Sequence, residues 1–346
     1  MKKDWGNIMI ITRTPHRISF FGGGTDYPTW YLRHNGKVLG AAIDKYCYLI
    51  VRELPPFFEH KHRIVYSQME NAKSINEIKH PSVREILNYF NYKKGISIHH
   101  DGDIPARSGM GSSSTFTVGL LKAMFALQGQ IISKNELFKL AIHIEQNVIK
   151  ENVGSQDQVF AAQGGFNKID FLNNGEIVVT PVLMTKENVS VFEKKFMLFF
   201  TGLSRIASEI AIEQIKNTTK KEKELHKMGK LVDEAYKIIT SKTPKFKLFG
   251  KLLDETWKLK RTLSTKISNS FIDDIYNTAM RNGAIGGKLL GAGGGGFMLF
   301  YVEPENRMKV KKSLKGLLNI PFEFDFSGSE IIFYRPYSEN TLGNLR

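Results

Sequence analysis

A chain of 346 residues, 42% hydrophobic and 11% aromatic, carries enough apolar material for a sizeable core, and its length suggests about two domains. Its single cysteine, Cys47, excludes an internal disulfide framework and a cysteine-rich zinc site. A net charge of +15 and an isoelectric point near 9.6 favour anionic ligands, whether nucleic acid, acidic membrane or phosphorylated metabolites.

The apolar run at 8–11 is too short for a signal-peptide core, and the longest apolar stretch, 38–51, is broken by Asp44 and Lys45. No leader or membrane span is expected, and a cytoplasmic location is. Residues 8–14 read as a strand and 17–21 as a second extended piece. Gly22-Gly23-Gly24-Thr25-Asp26 then makes a turn too glycine-rich for regular structure. One or two helical turns follow at 27–33. A long strand spans 38–53, closed by Pro55-Pro56, with another strand at 64–67 and a helix at 83–90 after Pro81. Residues 95–99 are extended and lead into Pro105-Ala106-Arg107-Ser108-Gly109-Met110-Gly111-Ser112-Ser113-Ser114-Thr115. The next helix carries Phe116, Leu120, Met124 and Leu127 on one face.

Ser133 and Glu136 form a capping box for a helix reaching about 149. Residues 154–158 turn into a brief helix ended by Gly164-Gly165, and Asn173-Asn174-Gly175 joins the arms of a hairpin over 169–183. A second unit begins near 190, dividing the chain into 1–189 and 190–346. It holds a strand at 196–201 and a helix capped by Ser204 that runs to about 215. Lysine-rich helical segments cover 216–266, interrupted at Thr243-Pro244. A helix at 272–282, a glycine-rich run at 286–296 and a strand at 297–302 come next, then a helix at 305–318 and a strand at 330–335. The chain is of the α+β class, with a small C-terminal sheet covered by helices.

The stretch 105–115 suits a phosphate. Its glycines let backbone approach a ligand, its hydroxyls donate, and the following helix offers free N–H groups at its positive end. A flexible, hydroxyl-rich helix cap is the plain alternative. Gly291-x-Gly293-x-x-Gly296 matches a dinucleotide pattern formally, but that pattern needs a strand before it and a helix after it, and here a helix precedes and a strand follows. No Gly-Lys-Ser/Thr follows either loop, and no His-Arg-Asp or Asp-Phe-Gly occurs, which excludes a P-loop and a protein kinase. Phosphoryl transfer also needs a metal ligand, a positive group and a group that orients the acceptor. Glu145 could serve magnesium together with Ser112 or Ser113, and Asp157 follows a polar turn. A solvated helix charge and a helix N-terminal carboxylate are the competing readings of these two acids.

Taken together, 14–27, 105–115 and 286–297 resemble the three motifs of the GHMP kinase superfamily, in family order and across nearly the whole chain. The resemblance implies an N-terminal mixed α/β domain and a C-terminal ferredoxin-like α+β domain, with ATP and Mg2+ as cofactors. It implies that residues 107–114 bind ATP: Arg107, Ser108, Gly109, Met110, Gly111, Ser112, Ser113 and Ser114. Ser113 and Glu145 would hold the metal. Arg17 would stand by the transferred phosphoryl and Asp157 would be the catalytic aspartate, twelve residues from Glu145 as in galactokinase-like members. Asp26, with Gly23, Gly24 and Thr25, would meet the sugar, and Gly293, Gly294 and Gly295 would shape the floor of the site.

Where galactokinases carry Gly-Glu-His-Thr-Asp, this chain has Gly22-Gly23-Gly24-Thr25-Asp26, which argues against galactose. That form is similar to members acting on D-glycero-D-manno-heptose 7-phosphate, and it implies transfer to the anomeric hydroxyl to give the 1,7-bisphosphate for nucleotide-activated heptose synthesis. Kinases of neutral sugars, fucokinase- or galactokinase-like, are the alternative, and a non-catalytic sugar-responsive regulator is a weaker one. The substrate's own phosphate would need a cation, for which Lys258, Lys260, Arg261, Arg107 and Lys288 are candidates. The lysine-rich 220–247 segment has few interleaved aromatics, so nucleic acid is not expected, nor is membrane. His143-x-Glu145 lacks the cysteine pair of a zinc deaminase. His99-His100 and His60-x-His62 lack the company of metal ligands. A homodimer stays open.

Overall fold

The computed structural model describes residues 8–106, 108–203 and 207–335. The chain begins with β1 (Met9–Phe21), α1 (Pro28–His34) and β2 (Gly36–Glu53), then β3 (His62–Val65), β4 (Met69–Ala72), α2 (Pro81–Tyr89) and β5 (Ile96–Gly102). Next come α3 (Ser112–Leu127), α4 (Lys134–His143), α5 (Gln156–Gln163), β6 (Phe166–Phe171) and β7 (Ile177–Pro181). The second half holds α6 (Lys186–Glu193), β8 (Phe196–Phe200), α7 (Ala207–Asn217), α8 (Glu222–Ile239), α9 (Phe246–Arg261) and α10 (Ser270–Arg281). It closes with β9 (Ala284–Leu289), β10 (Phe297–Val302), α11 (Arg307–Ser313), β11 (Leu318–Ile320) and β12 (Glu330–Arg335).

The two extended pieces expected at 8–14 and 17–21 are one strand. Its ladder with β2 shifts register at Pro15/His16, where proline has no N–H to give, so the proline falls where pairing is already interrupted. β2 is long enough to serve two partners: Gly36 to Ala41 pair with β6, and Cys47 to Glu53 pair with β5. The first sheet runs β12-β1-β2-β5-β3-β4, with β6 and β7 off β2. The second runs β11-β8-β10-β9, wholly antiparallel. Its chain order of strand, helices, hairpin, helix and strand is the split arrangement of a ferredoxin-like unit, so the expected α+β class holds.

Three expectations change. The run at 286–289 is strand β9 rather than loop, so the third glycine stretch is the turn of a β9–β10 hairpin, still without the helix a dinucleotide site needs. The helix expected over 305–318 is short and gives way to β11. The last strand does not complete the C-terminal sheet: β12 pairs with β1, and Arg13 clamps Glu330 at 2.7 Å. The expected cap at Ser204 and the side chain of Arg107 lie outside the described residues.

Between the two sheets lies a phenylalanine cluster. Phe20 has its ring centroid 5.0 Å from Phe196, 5.5 Å from Phe249 and 5.6 Å from Phe166. Such tilted and edge-on pairs add directional contacts to plain burial and hold the two halves in register across the cleft. α3 is buried on most sides, with Leu120 and Met124 fully covered as expected. The lysine-rich α8 turns Leu225, Met228, Leu231, Val232 and Ala235 inward, which leaves its cations to the surface.

Candidate active site

A cavity of about 940 Å³ opens between the domains, walled by the end of β1, the 22–27 turn, the 109–114 loop, the start of α5 and the 291–292 turn. Two glycine loops meet at its base. Gly109 and Gly291 both take positive φ, +81° and +72°. A Cβ on Gly109 would stand 2.7 Å from the Leu290 carbonyl oxygen, and one on Gly291 would stand 2.5 Å from the Gly109 Cα. Only glycine fits this crossing, which sets the second motif directly on the third. Gly111 then caps α3 in the left-handed conformation, so the free N–H groups of α3 open into the cavity beside Ser112 and Ser113.

Arg17 and Asp157 form the centre. Nε and Nη2 of Arg17 donate to the two carboxylate oxygens at 2.7 and 2.9 Å, and Nη1 donates to the Gly109 carbonyl at 2.8 Å. One guanidinium thus ties the carboxylate at the start of α5 to the glycine loop, with the planar fork that lysine cannot offer. Asp157 stays a quarter exposed to the cavity while Arg17 is buried behind it. Asp26 accepts from the Gly24 N–H and from Gln156 Nε2, each at 2.9 Å, and burial raises its carboxyl above the ordinary range.

Glu145 sits on a single π turn, 144–148, that extends α4, and it is fully covered. Ser114 Oγ donates to it at 2.8 Å and Gln158 Nε2 donates as well, while among the described residues Oε1 meets no hydrogen-bond geometry. The expected Ser113–Glu145 pair is therefore not brought together. Successive helical residues point about 100° apart, so with the Ser114 hydroxyl turned to Glu145 the exposed Ser113 points elsewhere, while both touch the cavity. Burial pushes the Glu145 carboxyl up to about 7, opposed by the hydroxyls of Thr117 and Ser114. Since the folded value lies above the ordinary one, the contribution of Glu145 to stability without a cation is full below the ordinary carboxyl range and is lost as pH rises through about 7. Glu145→Gln should lack that decline, so its advantage over the parent should grow between pH 5 and 8 toward about 3 kcal/mol. Urea unfolding in chelator reads this out, and parallel pH profiles would refute it.

Other expected positions fall away from the cavity. The Thr25 hydroxyl is spent on the Gly22 and Lys37 carbonyls at 2.9 and 2.8 Å, which folds the turn instead of reaching a ligand. Gly294 N–H bonds the Ile267 carbonyl at 2.9 Å, and Gly293 packs on the Ile267 backbone, so Gly291 and Ala292 form the lining in their place. Gly295 is pressed against Leu203. Met110 is buried in the inter-sheet core, and Ser108 is covered beneath Gly296. Gly23, Gly24, Asp26, Gly109, Gly111, Ser112, Ser113 and Ser114 do line the cavity.

Of the candidate cations, Lys258 is exposed and paired with Asp254 at 2.8 Å, and Arg261 is paired with Asp273 at 3.1 Å. Lys260 is buried at the cavity wall, with Nζ on the Gly291 carbonyl. Lys288 is buried below it, donating to the Ser19 and Phe20 carbonyls at 2.7 and 3.0 Å. Sequence reading missed an aromatic corner next to α3. The His80 ring stacks on Phe116 with centroids 4.5 Å apart, Tyr66 meets His80 edge-on at 5.0 Å, and Lys79 and Gln68 flank them on the cavity wall. No local pattern links residues brought there by β3, α2 and α3.

Comparisons with known proteins agree with this layout. The family described as GHMP kinases N terminal domain matches residues 76–165, and GHMP kinases C terminal matches 239–316. D-glycero-alpha-D-manno-heptose 7-phosphate kinase of Campylobacter jejuni is 32% identical over 336 residues, covering 94% of this chain and 99% of that protein. A crystal structure of a D-glycero-D-manno-heptose 1-phosphate kinase from Bacteroides thetaiotaomicron superposes with a TM-score of 0.77 at 25% identity, over 95% of this chain and all of that one. A sugar kinase structure from Campylobacter jejuni gives 0.69 at 27% identity, over 97% of this chain and all of that one.

Proposed function

This chain belongs to the GHMP kinase family as an ATP-dependent sugar kinase, and we propose that it phosphorylates the anomeric hydroxyl of D-glycero-D-manno-heptose 7-phosphate. The observation that carries the reading is the Arg17–Asp157 fork at the crossing of two glycine loops, in a cavity whose sugar end lacks the side chains a galactose site uses at positions 23 and 24. The relatives are named for different phosphates of one heptose, so the acceptor position rests on this proposal.

In the proposed reaction the α3 N–H groups and the 109–114 loop receive the triphosphate. The aromatic corner of Tyr66, His80 and Phe116 takes the nucleobase, since stacked rings accept a flat heterocycle without large rearrangement. Asp26 and Gln156 orient sugar hydroxyls. Asp157 keeps lone pairs free beyond those Arg17 occupies, so it can hold the attacking hydroxyl in line and take its proton. Arg17 stabilises charge as it spreads over the moving phosphoryl. Glu145 Oε1, with no hydrogen bond among the described residues, is a hard oxygen donor that suits a magnesium ion, and Ser114, whose hydroxyl already meets Glu145, is the serine placed to join it. Bound there, the ion would neutralise the phosphate oxygens.

No described helix is long and apolar enough to cross a membrane. We place the enzyme in the cytoplasm, where ATP is abundant, and assign it neither a nucleic-acid nor a membrane partner. ADP release across a panel of sugars and sugar phosphates tests the reading. Turnover with heptose 7-phosphate, at least tenfold preferred in kcat/KM over fucose or galactose, is expected. Preferred turnover of a neutral sugar would replace the substrate, and saturable sugar binding with no turnover would make the chain a regulator.

A further inference from the structure

Lysine rarely sits on the buried stripe of an amphipathic helix, yet on α9 Phe249, Leu253, Trp257 and Lys260 follow one another at spacings of four, four and three along the inward face. Lys260 is 4% exposed, and that remnant opens on the cavity. An ammonium has three donors. One is used on the Gly291 carbonyl, and among the described residues no carboxylate pairs with this lysine. The nearby charges offset it only in part: Asp26 and Asp157 favour the ammonium, but Asp157 is already forked to Arg17, whose own charge opposes it, and Asp26 is buried with its carboxyl raised toward the neutral form. Burial and the neighbouring Arg17 push the Lys260 ammonium down to about 8, so the cavity holds this charge at a cost that an arriving anion would relieve.

We propose that Lys260 is the anchor for the phosphate that the acceptor sugar already carries, and so the residue that makes the enzyme select a phosphorylated sugar over a neutral one. This rests on the sugar-phosphate reading above. Lys258 and Arg261, on the same helix, have carboxylate partners and do not share the role.

The test compares Lys260→Met with Lys258→Met, each first shown to unfold within a few degrees of the parent. Lys260→Met should raise KM for the sugar phosphate about 10- to 100-fold, the loss of a charge-assisted hydrogen bond, with kcat and the KM for ATP within about threefold. Its kcat/KM for the dephosphorylated sugar should stay at the parent's value, and Lys258→Met should match the parent throughout. Inorganic phosphate should compete with the acceptor in the parent and no longer do so in Lys260→Met. An unchanged KM, or a fall in kcat alone, would overturn the anchor; the latter would mean that Lys260 acts on the moving phosphoryl. A parent that prefers neutral sugars would defeat the substrate reading instead, a separate outcome. Should Lys260→Met not fold, reductive methylation of the parent decides: inorganic phosphate must slow labelling of Lys260 and not of Lys258, and equal labelling with and without phosphate would refute the proposal.

Discussion

Asp157→Asn should lower kcat by about 10²- to 10⁴-fold, the usual worth of a positioned base, with the fold intact and the KM for ATP within a few-fold. The substitution keeps size and shape, and the carboxylate lies at the start of α5, a quarter exposed to the cavity, where an amide is tolerated. What changes is chemistry. Asparagine has one acceptor oxygen where Asp157 has two, so one of the two prongs of Arg17 meets an N–H in place of a lone pair. The acceptor hydroxyl loses the group that would take its proton, and Arg17 loses its register. ADP release at saturating ATP and acceptor measures the effect, and a rate within tenfold of the parent would remove Asp157 from the chemistry.

Arg17→Met is expected to cost at least as much, about 10³- to 10⁵-fold, by analogy of role with arginines that stabilise a transferring phosphoryl. It also releases the Gly109 carbonyl and leaves Asp157 without its partner, so the KM for ATP should rise alongside the loss of kcat. Arg17→Lys should recover little, because a single ammonium cannot bridge both carboxylate oxygens and the loop carbonyl together. The double variant Arg17→Met/Asp157→Asn should be hardly slower than the worse single one, since the two side chains act as a unit. Multiplying losses would contradict that unit, and Arg17→Lys at the parent's rate would show that charge alone suffices.

Features written locally were legible in the sequence. The capping box forms as drawn, with Ser133 Oγ accepting from the Glu136 N–H at 3.2 Å, and the hairpin turns at 173–175. The apolar face of α3 packs as its spacing demands. Non-local choices were not legible. Nothing in 330–335 says that the strand will return to β1 and not stay with β9 and β10. Gly286 reads as loop because glycine is a poor strand former, yet it is in β9 because a Cβ there would stand 2.0 Å from the Gly250 carbonyl oxygen of α9. Motif positions carried the site only as far as the backbone. They brought Arg17, Asp157, Asp26 and the loop together. Which of three adjacent serines faces Glu145, and that Thr25 and Gly293 serve the turns themselves, follow from helix phase and hydrogen-bond accounting. Lys260 did have a signal, a lysine in register with buried apolar residues, which periodicity on α9 would have singled out from its neighbours.

Phosphorus NMR of the product formed from ATP and D-glycero-D-manno-heptose 7-phosphate tests the central claim most directly. The Arg17–Asp157 site predicts a new phosphomonoester resonance coupled to the anomeric proton, appearing in step with ADP while the original phosphate signal persists. ADP formed with the new phosphate on any other carbon, or formed only when a neutral sugar is supplied, would contradict it.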